Sequence, residues 1–114
     1  MRLKQIIDTL NLEILNAGES LDQDVAEGYV GDLLSDVIAS GKPNSVWITI
    51  QVHENIIAVA SLKDIAAIIL AKNSEPLDET LESAREEEVT LLRSSLNSYD
   101  LVARLHSLGV PGSL

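Results

Sequence analysis

A chain of 114 residues sits near the commonest domain size, and 46% hydrophobic residues with no Phe point to a mostly aliphatic core. A net charge of −10 disfavours nucleic acid and anionic membranes as partners, and the absence of cysteine removes disulfides, thiolate nucleophiles and cysteine-held zinc or iron–sulfur clusters. Met1-Arg2-Leu3-Lys4-Gln5 opens an interrupted apolar pattern unlike a signal peptide, and Lys63 and Asp64 break the longest apolar tract, Ile56 to Ala71. One soluble, cytoplasmic domain over residues 1–114 is expected.

Leu3, Ile6, Ile7 and Leu10 repeat at helical spacing, which predicts a short amphipathic helix over 3–10. Leu12 and Ile14, followed by Asn16-Ala17-Gly18-Glu19, read as a strand and its exit turn. Val25 to Val30 reads as a second short strand closed by Gly31. Asp32 then stands where a carboxylate can cap a helix reaching about Ala39, with Leu33, Leu34, Val37 and Ile38 as its buried stripe. Gly41-Lys42-Pro43-Asn44 stops that helix.

In Val46-Trp47-Ile48-Thr49-Ile50-Gln51-Val52-His53 the even positions are all aliphatic and β-branched, and the odd ones are Trp, Thr, Gln and His. Alternation predicts a strand with one core face and one semi-polar face. A helix over about Asn55 to Leu62 follows, then Ala66 to Ala71, apolar on both faces as a central strand should be. Pro76 and Asp78 open an acidic helix to about Glu87, Thr90 to Arg93 is a short strand, and Asn97 or Ser98 caps a last helix ended by Gly109 and Pro111. Residues 46–108 therefore read as βαβαβα, an α/β fold with a small, largely parallel or mixed sheet and helices on its faces.

Few residue patterns suggest chemistry. No glycine-rich phosphate loop precedes a helix, and the two histidines, His53 and His106, fall in different elements. No metal ligand set, no cofactor and no catalytic residue is therefore expected. Asp22, Asp24 and Glu27 are read as turn and capping residues rather than a cation site. Asp32 and Asp36, one helical turn apart beside Ser35, are explained equally well by a cap with a solvated neighbour and by an acid–base pair. From Glu75 to Glu88 seven acidic residues stand against Arg85 alone, which reads first as a solvated helix face and second as a docking surface for a basic partner.

The segment Thr49 to Asn55 is the best site candidate. Thr49, Gln51 and His53 would share one strand face, and Asn55 would begin a helix whose free amides can meet an anion. Packing against a helix or a second subunit is the competing reading.

Several stretches together resemble the DRTGG domain family: Leu21-Asp22-Gln23-Asp24-Val25, Gly28 to Val37 with its Gly31-Asp32-Leu33-Leu34-Ser35-Asp36-Val37, Trp47 to His53, and Asn55 to Ala60. The resemblance runs from about Met1 to Leu108. It matches Asp22 and Thr49 to the family's Asp and Thr, with Gln23 in place of its Arg and Lys72-Asn73 in place of its glycine-rich turn, which puts any activity of those residues in doubt. It implies a three-layer α/β/α fold similar to the N-terminal domain of HPr kinase/phosphorylase, and a role in regulation and dimerisation beside CBS domains in regulated pyrophosphatases. The reading is a non-catalytic regulatory module: a homodimer binding a small anionic metabolite, a nucleotide included, or a partner protein, with Thr49, Gln51, His53, Asn55 and Asp32 as ligand contacts. The alternative is an assembly or accessory protein without a ligand, linked to hydrogenase or redox complexes because some relatives are encoded near iron hydrogenase genes.

Overall fold

The computed structural model describes residues 1–113. Its elements follow the chain as α1 (Leu3–Leu10), β1 (Glu13–Asn16), β2 (Glu27–Val30), α2 (Leu34–Ser40), β3 (Ser45–Thr49), α3 (Asn55–Leu62), β4 (Ala67–Leu70), α4 (Asp78–Glu86), β5 (Leu91–Arg93) and α5 (Ser98–Ser107). The strands form one five-stranded mixed sheet in the order β1-β5-β4-β3-β2. The four strands β2 to β5 are parallel, and β1 joins the far edge antiparallel to β5.

Each parallel step moves one place in the same direction. The right-handed crossover preference then puts all the connecting helices on one face. Accordingly Val37 of α2, Ile56, Ile57, Val59 and Ala60 of α3 and Ala84 of α4 pack with Trp47, Ile68, Leu70 and Leu91. On the other face Leu3, Ile6 and Ile7 of α1 and Leu101 and Leu105 of α5 cover Val46, Ile48, Ile69 and Leu92. The result is three layers, α/β/α, as the resemblance implies.

β4 is the middle strand and its four residues are all buried, which suits its aliphatic side chains on both faces. The last segment of the chain returns to β2, where Gly28 N donates to Pro111 O at 2.8 Å. Asn16 ties β1 to α4, its Nδ2 donating to Ala84 O at 3.1 Å and to Val89 O at 2.8 Å.

Three expectations are corrected. β3 ends at Thr49, not at His53, so Gln51 and His53 belong to a loop. The face read as semi-polar is core: Trp47 and Thr49 are fully buried, with the indole Nε1 donating to Gly31 O at 2.8 Å. Asp32 does not cap α2, whose N-cap is Leu33; its carboxylate turns to β3 instead. Among the described residues no helix is long and apolar enough to cross a membrane.

Candidate functional site

The carboxyl ends of β2 and β3 are bound to each other by side chains. Asp32 follows β2, and its Oδ1 accepts from Thr49 Oγ1 at 2.7 Å and from Ile50 N at 2.9 Å. Thr49 Oγ1 in turn accepts from Gln51 N at 3.1 Å, and Gln51 Nε2 donates to Asp32 O at 3.0 Å. The Ile50 amide, the next donor beyond the strand, is thereby claimed by a carboxylate, which helps turn the chain out of the sheet. A buried threonine hydroxyl without a partner would be costly, and here it is fully satisfied.

The loop that follows is anchored to α4. Val52 O accepts from Thr80 Oγ1 at 2.6 Å and from Leu77 N at 3.3 Å. His53 and Asn55 are exposed at the start of α3. His53 Nδ1 accepts from Asn55 N at 3.2 Å, and His53 O accepts from Ile56 N at 3.1 Å. The first amides of α3 are therefore occupied from within, so an anion held by free amides at Asn55 has no support in this geometry. Of the five residues the sequence singled out, Asp32, Thr49 and Gln51 form one network, and His53 and Asn55 form a separate local turn two residues further on. Exposed side-chain groups for a ligand are the Gln51, His53 and Asn55 tips.

The other candidates separate. Asp36 accepts from Tyr29 Oη, so it makes no acid–base pair with Asp32; this bond, with burial and the Asp36 charge behind it, raises the Tyr29 phenol above its usual value. Segment 18–26 lies at the amino ends of the strands, with Ser20 Oγ donating to Ala66 O at 2.6 Å and Ala26 N to Asn44 O at 2.8 Å. Asp22, in that segment, is thus at the opposite end of the sheet from Thr49. Lys72 and Asn73 hold left-handed backbone, φ 57° and 53°, a conformation that favours glycine. No group of three His, Asp or Glu side chains among the described residues is placed to hold a metal ion.

Sequence reasoning missed a cluster on the β5 side of the same edge. Arg93 Nε donates to Glu13 Oε1 at 3.0 Å and Nη2 to Glu13 Oε2 at 3.2 Å, while Nη1 donates to Glu75 Oε2 at 2.8 Å. Those bonds, to Glu13 first and Glu75 second, raise the Arg93 guanidinium above its ordinary value. Arg104 of α5 lines a polar hollow together with Glu13 and Arg93.

The fold is similar to a solved structure of the CBS and DRTGG domains of the regulatory region of Clostridium perfringens pyrophosphatase, complexed with the activator diadenosine tetraphosphate. The two chains share 19% sequence identity with a TM-score of 0.74, over 96% of this chain and 47% of that one. The chain thus spans about half the length of that relative, and at this identity the likeness is one of fold. No curated protein matches the chain. The DRTGG domain model, however, matches residues 5–108, nearly the whole sequence, and the chain belongs to the DRTGG domain family.

Proposed function

We propose that residues 1–114 act as one regulatory module that senses a small anionic ligand, with nucleotides as the first class to test, and that it is not an enzyme. The observation that carries this reading is the fold shared with a pyrophosphatase regulatory region solved with a nucleotide activator. The geometry of the carboxyl edge supports it. A ligand touching Gln51, His53 or Asn55 would press on a loop pinned both to the β2 exit, through Asp32, and to α4, through Thr80 and Leu77. Binding there would be felt by two elements that do not touch the ligand. Asp32 and Thr49 serve that loop as its support, since their polar atoms already bond to each other.

A thermal-shift series with adenosine monophosphate, adenosine triphosphate and diadenosine tetraphosphate tests the reading, because a ligand specific to the native state raises the melting temperature by mass action. The expected result is a concentration-dependent rise with at least one of them. Gln51→Ala should abolish the rise and leave unliganded stability nearly unchanged. No rise with any of the three at millimolar concentration would remove nucleotide sensing.

A ligand-free assembly role is the second reading, and exposed apolar side chains favour it. Val30 and Val102 flank a small apolar cavity between β2 and α5, and Tyr99, 83% exposed, stands one helical turn before Val102. Such side chains beside a sheet edge suit an isologous contact between two copies. Sedimentation at micromolar concentration should then give a dimer; a species near 12.3 kDa at high concentration would refute the contact.

A further inference from the structure

A polar hollow of about 380 Å³ opens where α1, β1, β5 and α5 meet. Its chemistry comes from Asn11, Glu13, Asn73, Arg93, Ser95 and Arg104. Two of the eight basic residues in a chain of net charge −10 therefore line one small space.

The donors outweigh the acceptors there. A guanidinium has five N–H groups. Arg93 spends three on Glu13 and Glu75, which fix its plane and leave one N–H on each terminal nitrogen. Glu13 is the acidic wall residue, and it shares the single charge of Arg93 with Glu75 outside the wall. Arg104 is exposed and makes no ion pair among the described residues, so its guanidinium brings the four charged groups to balance while keeping its own N–H groups free for a ligand. Asn11 and Asn73 both hold left-handed backbone, φ 52° and 53°, and their side-chain amides make no hydrogen bond among the described residues. The Ser95 hydroxyl adds a further donor.

We propose that this hollow binds a small phosphate-bearing anion, gripped by Arg104 and the remaining N–H groups of Arg93, with Asn11, Asn73 and Ser95 donating around it. Donors arriving from four separate elements suit the three-dimensional acceptor set of a phosphate; a planar carboxylate offers two oxygens in one plane. The chain's overall negative field opposes any anion, but beyond about 10 Å it is screened at ordinary salt, whereas direct contact with Arg104 is not. The site lies on the β5 side of the edge and does not depend on the sensing loop at Gln51 to Asn55.

The test is a titration of inorganic phosphate into the isotope-labelled full chain at constant ionic strength, followed by amide chemical shifts, with sodium acetate as the parallel arm. Phosphate should produce saturable changes centred on Asn11, Asn73 and Ser94 to Leu96, and acetate should not. Arg104→Gln should weaken phosphate binding by at least about tenfold, as loss of a charge-assisted bond implies, with an unchanged melting curve because Arg104 is exposed. Non-saturable or scattered changes, equal affinity in Arg104→Gln, or acetate binding as tightly as phosphate would each overturn the proposal.

Discussion

Asp32 and Thr49, seventeen residues apart, stand at the exits of two adjacent parallel strands and share a 2.7 Å hydrogen bond whose acceptor is exposed and whose donor is fully buried. The asymmetry makes the two residues unequal in mutation. Asp32→Ala strips partners from a buried hydroxyl and from the Ile50 amide, and should cost about 1–3 kcal/mol. Thr49→Val keeps the buried shape and leaves Asp32 free to be hydrated, so about 1 kcal/mol is expected. Urea unfolding of both variants checks the order; Thr49→Val proving the worse would contradict it.

Lys72 sits at φ 57° with no glycine to relieve it. The left-handed conformation disfavours a residue with a Cβ by about 1–2 kcal/mol, part of which glycine forfeits through its looser unfolded state. Lys72→Gly should therefore stabilise by up to about 1 kcal/mol. Asn73→Gly should gain less, because asparagine tolerates this region. Thermal melts rank the two.

Two glycines predict opposite outcomes. A Cβ at Gly28 would meet Val46 Cγ2 at 3.8 Å and Val110 Cγ1 at 3.9 Å, ordinary contacts at the wall of a small apolar cavity. Gly28→Ala should stabilise by about 0.5–1 kcal/mol through the unfolded state and the added contact. A Cβ at Gly18 would stand 2.2 Å from Glu88 O, a backbone atom that cannot move alone. Gly18→Ala should cost about 1–3 kcal/mol, and a neutral result in denaturant titration would mean the turn relaxes freely.

The Glu88 carboxyl lies above the ordinary glutamate range, first because it shares a hydrogen bond with Glu19 and then because of the charge on Glu19. The folded state thus holds that proton more tightly than the unfolded chain does. The stability it contributes is complete in acid and is lost as pH rises through the elevated value. Glu88→Gln should be more stable than the parent at neutral pH and equal to it in acid. A difference that stays constant with pH would rule out the Glu19–Glu88 pair as its source.

What could be read before the fold was seen depended on how local the cause was. The run Ala66 to Ala71, apolar on both faces, is the central strand, and the expected bounds of Asn55 to Leu62 are those of α3. The alternation through Val46 to His53 misled because it continues past the point where Asp32, eighteen positions away, takes the Ile50 amide. Trp47 looked like part of a semi-polar face because its partner, the Gly31 carbonyl, is tertiary too. The hollow with Arg93 and Arg104 left no sequence pattern at all. Its residues come from separate elements, and a lone arginine in a strand or helix is indistinguishable from an ordinary surface charge.

The return of the chain to β2 bears on how the protein is made. During synthesis β2, β3, β4 and β5 emerge in the order in which they lie side by side, so each new strand can add to a finished neighbour. The outer edge of β2 waits longest, since the Pro111 carbonyl that accepts from Gly28 N is made only after all five strands and α5. Until then the nascent chain carries an open strand edge, the feature through which unfinished sheets stick to one another. Residues 110–113 thus act as a late seal, and deleting them should raise aggregation during expression more than it lowers the stability of the finished protein.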